Sequence, residues 1–318
     1  MPDTFDLLVI GDANPDVILG PLDAPLAFGQ REQLVTTGLL TLGGSAAIMA
    51  CGAARLGLKV AFAGRIGDDD AGRFVRASLS SRGVNTDALR LDPELPTPLT
   101  TVITRGGDRA ILTAPGTLTA TGGEDIPQAL LTNCRHVHAA SYFLLPRLAD
   151  ALPGLLRTAR DHGATTSLDT NDDPSGHWTH PGLDSALAAT DILLPNAQEA
   201  RALAGPGAAT LDDAAARLAS RGPLVVVKDG ANGALAHDGR SLLRSDGTPV
   251  TPLDTVGAGD SFDAGYVAAV LAGLPGRAAL DFAAACGALS TRAHGGTTAQ
   301  PTWDEALAAT TRNGENPA

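Results

Sequence analysis

Lysine is almost missing from this 318-residue chain. It stands only at Lys59 and Lys228, so 21 of the 23 basic residues are arginines. Basic residues are outnumbered by 35 acidic ones, giving a net charge of −12. No broad basic face can therefore supply the counterion release on which nucleic-acid binding depends, and an anionic membrane surface is equally unsuited. Cysteine is scarce as well: Cys51, Cys134 and Cys286 are scattered without CxxC spacing. That argues against a zinc ribbon or a disulfide framework and reads as reduced, buried thiols in a cytoplasmic protein. The longest nearly unbroken apolar run, Ala264 to Leu274, has about half the length of a bilayer span. The start, Met1-Pro2-Asp3-Thr4-Phe5-Asp6, is acidic and has no export-signal pattern.

What is present is alternation. Short apolar runs (Leu7–Ile10, Lys59–Phe62, Ile192–Leu194, Leu224–Val227) recur between stretches of helical spacing at Ala46–Leu56, Arg147–Arg160, Asp212–Ser220 and Ser261–Leu271. Continuous apolar strands separated by helices imply a three-layer αβα domain with a mostly parallel, doubly wound sheet. Ligands of such sheets bind beyond the carboxyl ends of the strands. Two segments depart from the rhythm. Asp16–Gly20 and Arg31–Gly38 read as polar-alternating strands, and Leu99–Arg105 with Arg109–Thr113 reads as a hairpin turning at Gly106-Gly107-Asp108. We expect residues 13–38 and 97–116 to form a small β lid, with 1–12, 39–96 and 117–318 as the main domain. The tail after Thr311 reads as frayed.

The segment Asp254-Thr255-Val256-Gly257-Ala258-Gly259-Asp260-Ser261-Phe262 runs from a loop into an apolar helix. Gly257, Ala258 and Gly259 leave the backbone open to a ligand, and amides in a helix's first turn attract an anion. Asp260 would face whatever those amides hold. Phosphoryl transfer uses such an arrangement: amides neutralise charge on the transferred group while a carboxylate takes the acceptor's proton. An Asp that merely caps the helix is the plainer alternative. Phe262 stands where a Rossmann fingerprint needs its third glycine, and neither lysine completes a Walker A loop.

This segment closely resembles the C-terminal signature of the ribokinase-like (PfkB) carbohydrate kinases. The resemblance implies an anion hole at Gly257, Ala258 and Gly259, with Asp260 as general base. It continues through most of the chain, from about residue 6 to 305. Gly11-Asp12-Ala13-Asn14-Pro15-Asp16 is similar to the family's first strand, which offers Asn14 and Asp16 to the sugar. Leu42-Gly43-Gly44-Ser45 resembles the loop whose backbone, at Gly43 and Gly44, lies against the substrate. Gly67-Asp68-Asp69-Asp70-Ala71-Gly72 resembles a further recurring element, read as structural. Asp169-Thr170-Asn171 resembles the element by which Asp169 and Asn171 face substrate and phosphates. Asn196-Ala197-Gln198-Glu199 matches the motif whose Asn196 and Glu199 organise Mg²⁺ and phosphates through water. Lys228, Gly230, Asn232 and Gly233 resemble the strand and turn beside ATP. Asp254, with carbonyls near Val256, Leu289 and Gly295, resembles a monovalent-cation site, a place for K⁺. A homodimer built through the lids is implied too.

Each element has a plainer reading. Asn196 and Glu199 have capping-box spacing, Lys228 would suit a solvated strand end, and Asp169-Thr170-Asn171 would suit a turn before Pro174. His136 and His138 share one strand face, yet no carboxylate or thiol accompanies them at metal spacing. His177 and His180 read as surface or cleft residues, and Ser45 and Ser261 lack a nucleophile-elbow context. One departure from the family is plain: Ile48 occupies the position of an asparagine that bonds substrate hydroxyls. Losing such a contact costs on the order of 1–3 kcal/mol unless replaced. The expected activity is ATP-dependent phosphorylation of a hydroxymethyl group on a small sugar. A nucleoside kinase and a silent sugar or nucleotide sensor on the same fold are the alternatives.

Overall fold

The computed structural model describes residues 4–106 and 108–314. Its thirteen strands are β1 (Phe5–Ile10), β2 (Asn14–Gly20), β3 (Thr37–Gly43), β4 (Val60–Gly67), β5 (Leu89–Asp92), β6 (Leu99–Arg105), β7 (Asp108–Ala114), β8 (Cys134–Ala139), β9 (Thr165–Leu168), β10 (Ile192–Leu193), β11 (Leu224–Lys228), β12 (Ala234–His237) and β13 (Leu242–Ser245). Nine of them form one sheet in the order β13-β12-β11-β10-β9-β8-β1-β4-β5. From β11 to β5 all pairs are parallel, and only β12 and β13 run antiparallel at one edge.

Period-two alternation explains the layers. Leu7 and Val9 of β1 join one core cluster, and Leu8 and Ile10 join the other. Against the first face pack α1 (Ser45–Arg55), α2 (Asp70–Ser80) and three later helices. The second face is covered by α3 (Gln128–Leu131), α4 (Pro146–Asp161), α5 (Leu183–Ala188), α6 (Ala197–Ala204) and α7 (Leu211–Ala219). Then α8 (Ala258–Leu271), α9 (Gly276–Ser290) and α10 (Trp303–Gly314) complete the first layer. Each fully buried leucine or isoleucine adds roughly 1.5–3 kcal/mol. Helix α8 is buried from Asp260 to Ala269, so the first turn of α8 is fixed by the core beneath it. The chain passes from β1 to β4 on one side of it and later returns to lay β8 on the other. The cleft opens at that switch point, above the ends of β1, β8, β9 and β11.

The four remaining strands make the small sheet, ordered β3-β2-β6-β7. It differs from the expectation in one stretch. Residues 31–36 are outside any strand, β3 starts at Thr37, and it runs on to Gly43, past the expected lid limit. The cause is at the other end of the ladder: Pro21 has no N–H, so β2 stops at Gly20, whose carbonyl accepts from Thr37 Oγ1. The expected hairpin of β6 and β7 is present; its turn includes Gly107, which lies outside the described residues, as do Met1–Asp3 and the tail beyond Gly314. Asp69 caps α2 through Gly72 N and also accepts from the hydroxyl and amide of Thr97. The 67–72 element is therefore a structural clamp between α2 and the start of β6.

Cys51 and Cys286 are buried, Cys134 is half-buried, and all three are free thiols. Among the described residues no helix is long and apolar enough to cross a membrane.

Candidate active site

Gly257 starts the site. It takes a left-handed φ of 72° as the N-cap of α8, and a Cβ there would lie 2.6 Å from Gly296 Cα and 3.0 Å from Ile48 Cγ2. Only glycine suits both demands. Ser261 N makes the first intrahelical bond, to Gly257 O. Ala258 N turns back to Thr255 O at 3.3 Å, while Gly259 and Asp260 have no carbonyl four residues back to accept their amides. Asp260 is 8% exposed. Burial, and then the charges of Asp169 and Asp12, push its carboxyl well above the usual range against the pull of Lys228.

Lys228, at the end of β11, is only 9% exposed and lies at the wall of a cavity. Its ammonium donates to Asp169 Oδ2 at 2.7 Å and to both oxygens of Asp263 at 3.1 and 3.0 Å. Burial opposes that charge, but Asp169 and Asp263 outweigh it and the lysine stays protonated. The solvated strand-end reading is thus corrected. Asp169, Asp260 and Asp263 bring carboxylate oxygens within 4.8 Å of one another, and the Lys228 ammonium already serves two of them. Beside the lysine, Asn196 caps α6 and Glu199 returns the bond: Asn196 Oδ1 accepts from Gln198 N and Glu199 N, while Glu199 accepts from Asn196 N at 2.8 Å and Nδ2 at 2.6 Å. Burial, then the Asp169 charge, raises Glu199 to about 7. Each Glu199 oxygen keeps a lone pair, so the residue suits a hydrated hard cation, whereas the three-aspartate cluster does not.

At the other side of the cleft, Asn14 Nδ2 donates to Asp16 Oδ1 at 2.8 Å and Thr100 Oγ1 at 3.1 Å. Burial raises Asp16 to about 7. A Cβ on Gly43 would overlap the Asp16 carboxylate, and one on Gly44 would meet Asp12 O at 2.8 Å. Asp12 itself, 6% exposed, accepts from Ser45 N at 3.1 Å and Ala46 N at 3.0 Å, holding the first turn of α1. Asn171 (φ 53°) accepts from Ser141 N at 2.7 Å and donates to Ser45 Oγ at 2.9 Å. Ser45, Asn171, Asp169, Lys228 and Asp263 are therefore one connected polar network, and Asp260 lies beside its two aspartates. Ile48 is buried beneath Gly257 and Gly296, so it packs the loop and offers no polar contact.

A cavity of about 510 Å³ adjoins the network, lined by Gly230, Gly233, Thr248, Pro252, Thr255 and Ala288 among others. Of the turn expected beside ATP, Gly230 and Gly233 line this cavity, as does Ala231. Asn232 does not; it is exposed and donates to Asp229.

The profile of the pfkB family carbohydrate kinases matches residues 4–303. The chain belongs to that family of kinases. It is 33% identical over 305 residues to the ATP-dependent ribose-1-phosphate kinase of Halopiger xanaduensis, covering 95% of this chain and 97% of the relative. A fructokinase of Klebsiella pneumoniae is 32% identical over 279 residues, 83% of this chain and 90% of its own. Arabidopsis thaliana ribokinase, solved with ribose and ATP, superposes with a TM-score of 0.84 at 25% identity, over 97% of this chain and 99% of that one.

The kinase also holds residues that sequence reasoning missed. Asp263 belongs to the same sequence segment but was assigned no part, although it lies three positions after Asp260 in a mostly apolar helix, where an unpaired charge is improbable. Asp12 was quoted in its motif but assigned no part. The 247–252 segment carries no pattern that announces a cavity wall. Asp254 of this kinase accepts from Val256 N at 3.0 Å and Gly295 N at 2.9 Å, and Leu289 O accepts from Arg292 Nε at 2.8 Å. Its carboxylate thus clamps the loop before the α8 start. The histidine pair joins a hydrogen-bond chain: Thr165 Oγ1, His136, Ser167 Oγ and His138 at 2.7–2.8 Å.

Proposed function

We propose that this kinase transfers the γ-phosphoryl group of ATP to the hydroxymethyl group of a small furanose, with ribose 1-phosphate the first acceptor to test. The observation that carries the reading is the buried Asp260 carboxylate in the first turn of α8, beside open amides and within 4.8 Å of the Asp169 and Asp263 carboxylates. Asn14, Asp16, the Gly43–Gly44 backbone, Asp169 and Asn171 would orient the acceptor. Lys228 would act through Asp169 and Asp263 rather than on phosphate, which revises its expected contact with ATP. The cavity beside Gly230 and Gly233 suits the nucleotide. Mg²⁺, when bound, neutralises phosphate charge, and Glu199 with Asn196 would hold its water shell.

In the reaction the acceptor O–H gives its proton to Asp260 as its oxygen attacks phosphorus in line. The bond to the bridging oxygen breaks and ADP leaves, while the open amides of Gly259 and Asp260 stabilise the equatorial oxygens. The small sheet, within 13–38 and 97–116, would act as a lid that excludes water. Its face away from the cleft carries Val17, Leu40 and Leu112, the latter two 56% and 58% exposed, which supports a homodimer through the lids. Free thiols fit a cytoplasmic location. K⁺ near Asp254 is a separate proposal, testable by exchanging K⁺ for Na⁺ in the assay.

A coupled assay of ADP release over sugars, sugar 1-phosphates and nucleosides tests the reading. Asp260→Asn should lower kcat by roughly 10²–10⁴-fold with ATP affinity retained. Since only the ionised base accepts a proton, kcat/KM of the wild type should rise with pH through the raised Asp260 pKa. Binding without turnover for every acceptor would instead identify a sensor.

A further inference from the structure

The cleft is short of positive charge. Asp12, Asp16, Asp169, Asp260 and Asp263 are all buried within it, and the one lysine present is engaged by two of them. Any phosphate entering meets carboxylates unless another cation is available. One side chain meets the need. Arg109, on β7, pairs with Thr104 of β6, two residues along from the Val102–Ile111 pair and four from Thr100–Thr113. By period-two alternation it shares the face of the small sheet that bears Thr100 and, across the ladder, Asp16. That is the cleft face, and Arg109 stands about 13 Å from Thr113 along the strand. From there it crosses to the main domain: Arg109 Nη1 donates to Thr255 Oγ1 at 3.2 Å, two residues before Gly257 and at the edge of the 510 Å³ cavity. Among the described residues its guanidinium has no carboxylate partner; the residue's contact with Asp108 is through its main-chain N–H.

We infer that Arg109 is a phosphate-binding residue of the closed cleft, exchanging its bond to Thr255 for a phosphate oxygen held near the 257–260 amides. An unpaired guanidinium presents parallel N–H donors that match a phosphate's oxygens. The inference rests on the kinase reading and adds the residue that counters the cleft's negative charge. Two phosphates have the right chemistry, the transferred γ-phosphoryl group and a phosphate already on the acceptor.

Wild type, Arg109→Gln and Arg109→Lys are titrated by calorimetry with Mg·ATP, Mg·ADP, ribose and ribose 1-phosphate, and turnover is measured with both acceptors. Glutamine keeps a donor for Thr255 but removes the charge; lysine keeps the charge. Arg109→Gln should weaken one phosphate ligand by roughly 10- to 100-fold, with part recovered by lysine. A loss on ATP but not ADP assigns the guanidinium to the γ-phosphoryl group. A loss on ribose 1-phosphate but not ribose assigns it to the acceptor's phosphate. If Arg109→Gln binds all four ligands like wild type, the residue is only a tether, and the inference falls. A uniform loss on all four, ribose included, overturns it as well, because the lid itself has then been damaged. Should wild type turn over neither acceptor, the kinase reading suffers while the binding arms still decide Arg109.

Discussion

Lys228 shows how much one residue can set in a cleft of acids. Its ammonium sits at hydrogen-bond distance from two carboxylates that are 3% and 1% exposed. Removing one partner of a buried ion pair costs more than the pair contributes, because the other charges are left uncompensated. Lys228→Met should therefore lose about 3–5 kcal/mol in urea unfolding. The double variant Lys228→Met/Asp263→Asn should recover part of it; equal stability of wild type and the single variant would refute the pairing. Sequence made Lys228 conspicuous by rarity and put it at the ligand edge, but could not place Asp263 beside it. The two are 35 residues apart on different elements, and nothing local links them. Asp260 was legible because its glycines are adjacent in sequence. Arg109 was not, being one of 21 arginines whose meaning depends on which sheet face it occupies.

Among the elements, strands β8 and β9 carry an unusual burden. His136 and His138 are 0% exposed, and burial lowers them to about 3 and about 4. The unfolded chain takes up these protons near pH 6.5, and the folded chain does not. Below that pH the unfolded state binds more protons, so this pair's contribution to stability falls with acidification. Asp16 and Glu199, raised to about 7, act in the opposite direction because the folded state holds their protons first. A comparison between chains isolates the histidine part: between pH 6.5 and 5, His136→Gln should lose about 2 kcal/mol less than wild type. Parallel losses in both chains would mean that the ring is protonated in the fold. The alternating strand pattern revealed that the two rings share a face. It could not reveal Ser167 as the link between them, since cross-strand register is set by the whole sheet. The 31–36 stretch misled for a similar reason. Its polar alternation is real, but a ladder needs a partner, and Pro21 ends the one on offer.

At the scale of the molecule, charge and apolar surface divide the work. The net charge of −12 keeps the main domain from sticking to itself, while the outer face of the small sheet concentrates exposed aliphatic side chains at Leu40 and Leu112. Leu40→Glu/Leu112→Glu should convert a dimer to a monomer in light scattering; a wild type already monomeric at micromolar concentration would remove the proposal. The three-layer architecture was readable from alternation alone, because continuous apolar strands fit only a covered parallel sheet.

The scarcity of lysine also has a practical side. Amine-acylating reagents attack neutral, accessible nitrogen. Lys228 offers neither, being buried and held as an ammonium by its two aspartates, whereas Lys59 is exposed just before β4, far in sequence from the network. A dye or surface linker attached through lysine will accordingly settle on Lys59 and leave the cleft chemically untouched. The fold has left a single exposed lysine for immobilisation or single-molecule work.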